Sequence, residues 1–211
     1  MHRALEDYHK KGGPKTQSAE QLVESMHQVW TSIGYASPEE ELEQVEVAAH
    51  FLEEYHTAHK VEGVKTLFTE KQFRTDMGEF ILMGRIDRLD EYPDGHLEVV
   101  DYKSGRLCTS EEEVRNDLAM GIYAFLVQKA YTESHVTASI YCLRSGDKAT
   151  AKFTNEDLAQ IEDGARSIAI EIESIDEDSI IEPVWLERIC PNCDYLRLCA
   201  RRQNWDLSKL L

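Results

Sequence analysis

No run of apolar residues in this 211-residue chain is long enough to span a bilayer as a helix, and the composition reads as soluble and globular. No secretory leader is expected, since Met1 opens directly onto His2-Arg3-Ala4-Leu5, which has a helix pattern. That opening lacks a helix cap and reads as a stretch taken from a longer chain. Basic residues are scarce: 23 Lys and Arg stand against 40 Asp and Glu, a net charge of −17. Such a balance excludes broad electrostatic capture of a polyanion, since phosphate binding draws on Lys and Arg. Any nucleic-acid site must therefore be local, with the acid kept elsewhere, as in Glu39-Glu40-Glu41 and Glu111-Glu112-Glu113, or be fed by another domain. Cysteines number five, an odd count, and Cys190, Cys193 and Cys199 fall close together. That spacing excludes a disulfide framework and points to metal ligation in a reducing, cytoplasmic compartment. The chain has no internal repeat or low-complexity linker.

The most informative stretch runs from Gly84 to Gly105, GRIDRLDEYPDGHLEVVDYKSG. It reads as two strands joined by a tight turn. Pro93 and Asp94 suit a type I turn with Gly95 left-handed, a three-residue hairpin loop in which Tyr92 faces His96. The register then places Asp87 opposite Asp101 and Arg85 opposite Lys103. Asp87, Asp101 and Lys103 share a face, because side chains alternate along a strand. A two-residue Asp94-Gly95 loop would separate the acids; Pro93 favours the longer one. Two neighbouring carboxylates repel unless a cation lies between them, and a divalent metal is the natural choice.

Helical patterns cover His2 to Lys11, Gln17 to Ile33 and Pro38 to His59. Strands follow from Val64, then the hairpin. Ser110 with Glu113 forms a capping box at the start of a helix predicted to run to Glu133. Val136 to Arg144 and Lys148 to Phe153 are strands, and Thr154 opens a last long helix. The order implies an α/β sandwich with a central mixed sheet flanked by helices. Its expected organisation is one domain: helices in 1–60, a core in 61–180 and a cysteine segment in 181–211. His50, His56 and His59 read as a solvated helix face.

Gly84-Arg85-Ile86-Asp87-Arg88 followed by Asp101-Tyr102-Lys103 resembles the PD-(D/E)XK nuclease superfamily, the RecB-like branch above all. The resemblance implies a restriction-endonuclease-like fold. It also implies Mg²⁺ or Mn²⁺ on Asp87 and Asp101, a further contact from the Tyr102 carbonyl, and Lys103 assisting the attacking water. His2 fits the family's helix histidine, an additional metal ligand. Tyr123 fits its later tyrosine, whereas the partner glutamine position holds Ala119. Cys190, Cys193 and Cys199 resemble the C-terminal triplet of AddB-like and CRISPR-associated nucleases with a [4Fe-4S] cluster. The fourth ligand of that cluster lies upstream of the histidine helix, so this stretch carries three of four, and Cys108 and Cys142 are elsewhere.

Each residue also has a plainer reading. The hairpin charges suit an ordinary surface pair, His2 a frayed terminus, Tyr123 a core position, and the cysteines small hydrophobes or a zinc knuckle. The combined reading is a Mg²⁺- or Mn²⁺-dependent deoxyribonuclease domain of a helicase–nuclease in DNA repair. Its expected substrate is single-stranded or unwound DNA delivered by a helicase partner. A catalytically impaired DNA-binding module and a stand-alone CRISPR-adaptation nuclease are the alternatives.

Overall fold

The computed structural model describes residues 1–104, 110–132, 134–176, 184–187 and 189–209. The hairpin closes on the three-residue loop. Tyr92 N–H donates to the His96 carbonyl and Gly95 N–H to the Tyr92 carbonyl, both over 2.9 Å, with Gly95 at φ 82°. That loop sets the register of β2 (Ile81–Glu91) on β3 (Leu97–Lys103), from Glu91↔Leu97 to Arg88↔Val100. β1 (Lys65–Asp76) lies antiparallel to β2. β4 (Val136–Cys142) is parallel to β3, and β5 (Lys148–Lys152) antiparallel to β4, which gives the order β1-β2-β3-β4-β5. A parallel step needs a long crossover; here it contains α4 (Glu111–Asn116) and α5 (Leu118–Ala130).

The sheet is covered on both sides. Leu97 and Val99 pack with Phe125, Leu126 and Val127 of α5. Val100 and Tyr102 face the other way, onto Leu5 and Tyr8 of α1 (His2–Lys10), Met26 of α2 (Ala19–Val29) and Leu52 and Tyr55 of α3 (Pro38–Ala58). Burial on both faces explains why β4 is apolar or small almost throughout. The result is the expected restriction-endonuclease-like sandwich, a mixed sheet between helical layers.

Three helical expectations need correction. The helix predicted from Gln17 to Ile33 starts after Ser18, whose capping box with Gln21 satisfies its first turn, and ends at Val29. Trp30 leaves the helix with extended ψ, stacks on Tyr35 and donates Nε1–H to Glu41 over 3.1 Å. The helix predicted from Ser110 to Glu133 is two helices. Asp117 interrupts it at ψ 117° and caps α5 by accepting the Met120 N–H over 3.0 Å. His56 and His59 are not on a solvated face. His56 is buried against the Tyr8 hydroxyl at 2.6 Å, and the His59 ring stacks on Tyr55 with centroids 3.8 Å apart. His50 is exposed as expected.

The chain divides into two compact units, Met1–Ala169 and Ile170–Leu211, with α6 (Asn155–Glu173) crossing the boundary. Within the second, Trp185 meets Trp205 edge to face at 5.6 Å, and α7 (Leu196–Gln203) follows the cysteine turn. Among the described residues no helix is long and apolar enough to cross a membrane.

Candidate active site

The β2–β3 ladder stops at Arg88↔Val100, one step short of Asp87 and Asp101. The expected cross-strand pairs Asp87–Asp101 and Arg85–Lys103 therefore do not form. A continued ladder would give the Tyr102 N–H to the carbonyl of Ile86. Instead Asp87 Oδ2 accepts it over 2.8 Å, and the strands part around the carboxylate. β2 changes face at the same point: Ile86 packs on the α5 side, whereas Arg88 turns to His9 and Tyr55 on the side of α1 and α3. The β1 ladder passes over Glu70 between Thr69↔Arg88 and Lys71↔Ile86. Glu70 sits at φ 49°, left-handed and unfavourable for such a side chain, with its carboxylate 2.6 Å from Arg85 Nε.

Into this opening α1 brings His2. Its Nε2 lies 3.0 Å from the Tyr102 carbonyl oxygen and 3.3 Å from Asp87 Oδ2. Both neighbours are acceptors, so Nε2 carries the hydrogen, and the bond to Asp87 raises the His2 pKa. Asp101 lies beside them and is 9% exposed. Burial is the main cause that lifts its carboxyl above the ordinary range; Lys103 opposes that lift and the charge of Asp87 adds to it. Lys103 Nζ is 2.7 Å from Asp101 Oδ2. Burial works against the Lys103 ammonium, but Asp101 outweighs it and keeps the pKa above the usual lysine value. His2, Asp87, the Tyr102 carbonyl, Asp101 and Lys103 thus gather where two strands separate.

A family model described as the PD-(D/E)XK nuclease superfamily matches residues 1–200. The chain belongs to the PD-(D/E)XK nuclease superfamily. A protein of Streptococcus pyogenes serotype M6, named as a subunit of an ATP-dependent helicase/deoxyribonuclease, is 52% identical over 44 residues, 20% of this chain and 4% of that protein. Its namesake from Lactococcus lactis subsp. cremoris is 31% identical over 88 residues, 37% of this chain and 8% of the relative. The chain therefore matches only a small fraction of these relatives' length. A solved structure from Eubacterium rectale, described as an exonuclease, overlaps 94% of this chain and 74% of its own. Its identity is 12% and its TM-score 0.42, too loose to bear on the site.

The donor set suits the divalent cation this superfamily implies. Asp101 Oδ2 is a buried carboxylate oxygen without a regular hydrogen bond, its approach to Lys103 being an ion pair alone. With Asp87 Oδ2 and a backbone carbonyl it offers hard oxygens of the kind Mg²⁺ and Mn²⁺ prefer. Among the described residues no three His, Cys, Asp or Glu side chains are gathered as a metal site. Mg²⁺ needs no such cage, since it keeps several waters and takes one or two carboxylates.

The PD-(D/E)XK hairpin rests on a buried network that periodicity does not reveal. Arg88 is 2% exposed. Its Nη1 donates to the Tyr102 hydroxyl over 2.7 Å and to His9 Nε2 over 3.0 Å, with a short contact to the Tyr55 hydroxyl. His9 Nδ1–H then faces Thr66 Oγ1 at 3.2 Å, Thr66 donates to Asp90 Oδ1 over 2.8 Å, and Asp90 Oδ2 closes the circuit as an ion pair with Arg88 Nε at 3.0 Å, without a regular hydrogen bond. This closed ring anchors the Tyr102 side chain, and so fixes the peptide that serves Asp87 and His2. The sequence carries one signal for it: Asp90 faces Glu98 across the ladder, a like-charge pair that demands cations. They are Arg88 for Asp90 and Lys148, 2.6 Å from Glu98.

Burial first, and then the charges of Asp101 and Asp87, raise the Tyr123 pKa. Its ring packs over Gly84, where a Cβ would come within 2.9 Å of it. Ala119, one turn earlier on α5, is exposed. Cys190, Cys193 and Cys199 are free thiols in the second unit and make no group of three metal ligands. Cys142 is buried in β4, and Cys108 lies outside the described residues.

Proposed function

We propose that this chain is a Mg²⁺- or Mn²⁺-dependent deoxyribonuclease domain of a cytoplasmic helicase–nuclease active in DNA repair. The observation that carries this reading is the opening between β2 and β3, where Asp87 and the Tyr102 peptide meet His2 beside the Asp101–Lys103 pair. Asp87, Asp101, the Tyr102 carbonyl and, once its Nε2 has given up its proton, His2 would hold the cation. When bound, such a cation lowers the pKa of water and offsets charge on the phosphoryl oxygens.

The chain's own groups do the rest. Lys103, held protonated by Asp101, acts as a donor to the attacking water or to the phosphoryl oxygens, not as a base in this resting arrangement. Asp87 keeps the Tyr102 peptide in place through the N–H it accepts, so the carbonyl on the other side of that residue stays directed at His2. Tyr123, whose ring packs on Gly84, would offer its hydroxyl to a non-bridging oxygen. The three cysteines would join a fourth ligand in a [4Fe-4S] or zinc site of a longer chain.

The test is cleavage of end-labelled single-stranded DNA with Mn²⁺, with and without EDTA. Lys103→Met is expected to lower turnover roughly 10²- to 10³-fold with little change in binding. Exposed Ala119, in place of the family's glutamine, favours a second reading, a DNA-binding module without cleavage. Wild type that binds DNA yet cuts no faster than Asp101→Asn would establish that reading instead.

A further inference from the structure

His2 belongs to two places. Its Nε2 faces Asp87 and the Tyr102 carbonyl, and its ring also lines a cavity of about 240 Å³. Trp30, Tyr35 and Phe51 supply aromatic walls, with Gln44 and Arg144 among the polar ones. The Trp30 and Tyr35 rings are stacked at 8° with centroids 6.0 Å apart. Trp30 spends its N–H on Glu41, so a ring face is what it can offer a ligand. Arg144 uses Nε on the Ser104 carbonyl at 3.0 Å, which aligns the guanidinium beside the residue that follows Lys103. Among the described residues no carboxylate is in the walls, and Arg144 stands there with His2, whose Nε2 is engaged by Asp87.

We propose, building on the nuclease reading, that this cavity receives the nucleobase next to the phosphodiester addressed by Asp87 and Asp101. Stacking faces and one amide suit a flat, neutral heterocycle, which every base presents. Gln44 can both donate to and accept from a base edge. The phosphate itself is better served next door, at Lys103 and at any cation held by Asp87 and Asp101. A base that enters must leave its stack and its partner, so the strand at the site is single. The same geometry explains how a chain of net charge −17 can hold DNA: contact with bases replaces broad attraction to phosphates.

The experiment compares two oligomers of equal length and charge, oligothymidylate and the same backbone made of tetrahydrofuran abasic units. Binding is read by fluorescence anisotropy in Ca²⁺ at low salt. Tyr35→Ala is expected to weaken oligothymidylate roughly 5- to 150-fold, the value of one lost base stack, and to leave the abasic oligomer unchanged. Gln44→Ala, on a different element and with no ring to lose, should show a smaller loss of the same selectivity. A blunt duplex should not compete. Equal loss on both oligomers, no loss on either, or wild type that binds neither overturns the proposal. Because binding is read without cleavage, the two readings separate. Selective loss in a protein that never cuts keeps the cavity and removes the nuclease. Cleavage in Mn²⁺ with thymidylate binding untouched by Tyr35→Ala does the reverse.

Discussion

Burial lifts the Asp101 carboxyl above its ordinary range, and the neighbouring charge of Asp87 adds to the lift. At neutral pH the folded chain therefore carries an ill-solvated carboxylate that the unfolded chain hydrates freely. The cost is present above Asp101's folded pKa and vanishes below the unfolded value, where both states are protonated. Asp101→Asn should accordingly abolish Mn²⁺-dependent cleavage while melting, in EDTA at pH 7, at or above the wild-type temperature. Each kcal/mol recovered moves Tm by about 2–4 °C in a chain of this size. Calorimetry at pH 7 and pH 4 checks the sign, because the advantage must shrink in acid. A variant that melts lower at pH 7 would mean that the Lys103 ion pair outweighs the burial. At this scale the sequence nominated residues and was silent about their arrangement. Alternation singled out Asp87, Asp101 and Lys103, but a side-chain carboxylate taking a peptide N–H leaves no trace in periodicity, so the parting of the strands at Asp87 could not be read.

Elements divide the same way. The hairpin register followed from Pro93-Asp94-Gly95, because turn chemistry is local and fixes every later pair. The break at Asp117 was hidden by an apolar pattern that continues through it, and the early end at Val29 by aromatic contacts made across a loop. Contact with α5 also decides what Gly84 will tolerate, and Gly164 is the uncrowded comparison. A Cβ on Gly84 would lie 2.9 Å from Tyr123 and Leu126, so Gly84→Ala must shift these side chains. The expected loss is about 1–3 kcal/mol of unfolding free energy, measured in urea, with reduced turnover. Gly164, inside α6, meets nothing within 4 Å, and Gly164→Ala should gain about 0.5–1 kcal/mol by helix propensity alone. The opposite signs of these two changes test whether β2 and α5 touch as closely as described. Equal effects would contradict that packing.

Across the molecule, the helical layer of α1 to α3 is built on imidazoles kept neutral. Burial, with Arg88 nearby, lowers the His9 pKa to about 2 and that of His59 to about 3. Helix periodicity could not show this, because deciding partners lie far apart in sequence: His9 meets Thr66 and Arg88, and His59, stacked on Tyr55 one turn away, also meets Tyr141 edge to face at 5.0 Å. These depressed histidines bind fewer protons folded than unfolded. Their contribution is complete above the unfolded histidine value near 6.5, and it erodes as pH falls below that value toward the folded pKa. Well below 6.5 each histidine costs about 1.4 kcal/mol per pH unit. His2 has its pKa raised and acts in the other window, losing its contribution as pH climbs above 6.5. Asp101, also raised, opposes the histidines only in the acid part of the range. Urea titrations at pH 6.5, 6.0, 5.5 and 5.0 should therefore show stability falling with acid before most carboxylates titrate. His59→Gln, which cannot charge, should flatten that fall by up to about 1.4 kcal/mol per pH unit between pH 5.5 and 5.0. If wild type and His59→Gln lose stability in parallel, His59 is solvated in the folded chain and the neutral layer beneath the hairpin is not as described.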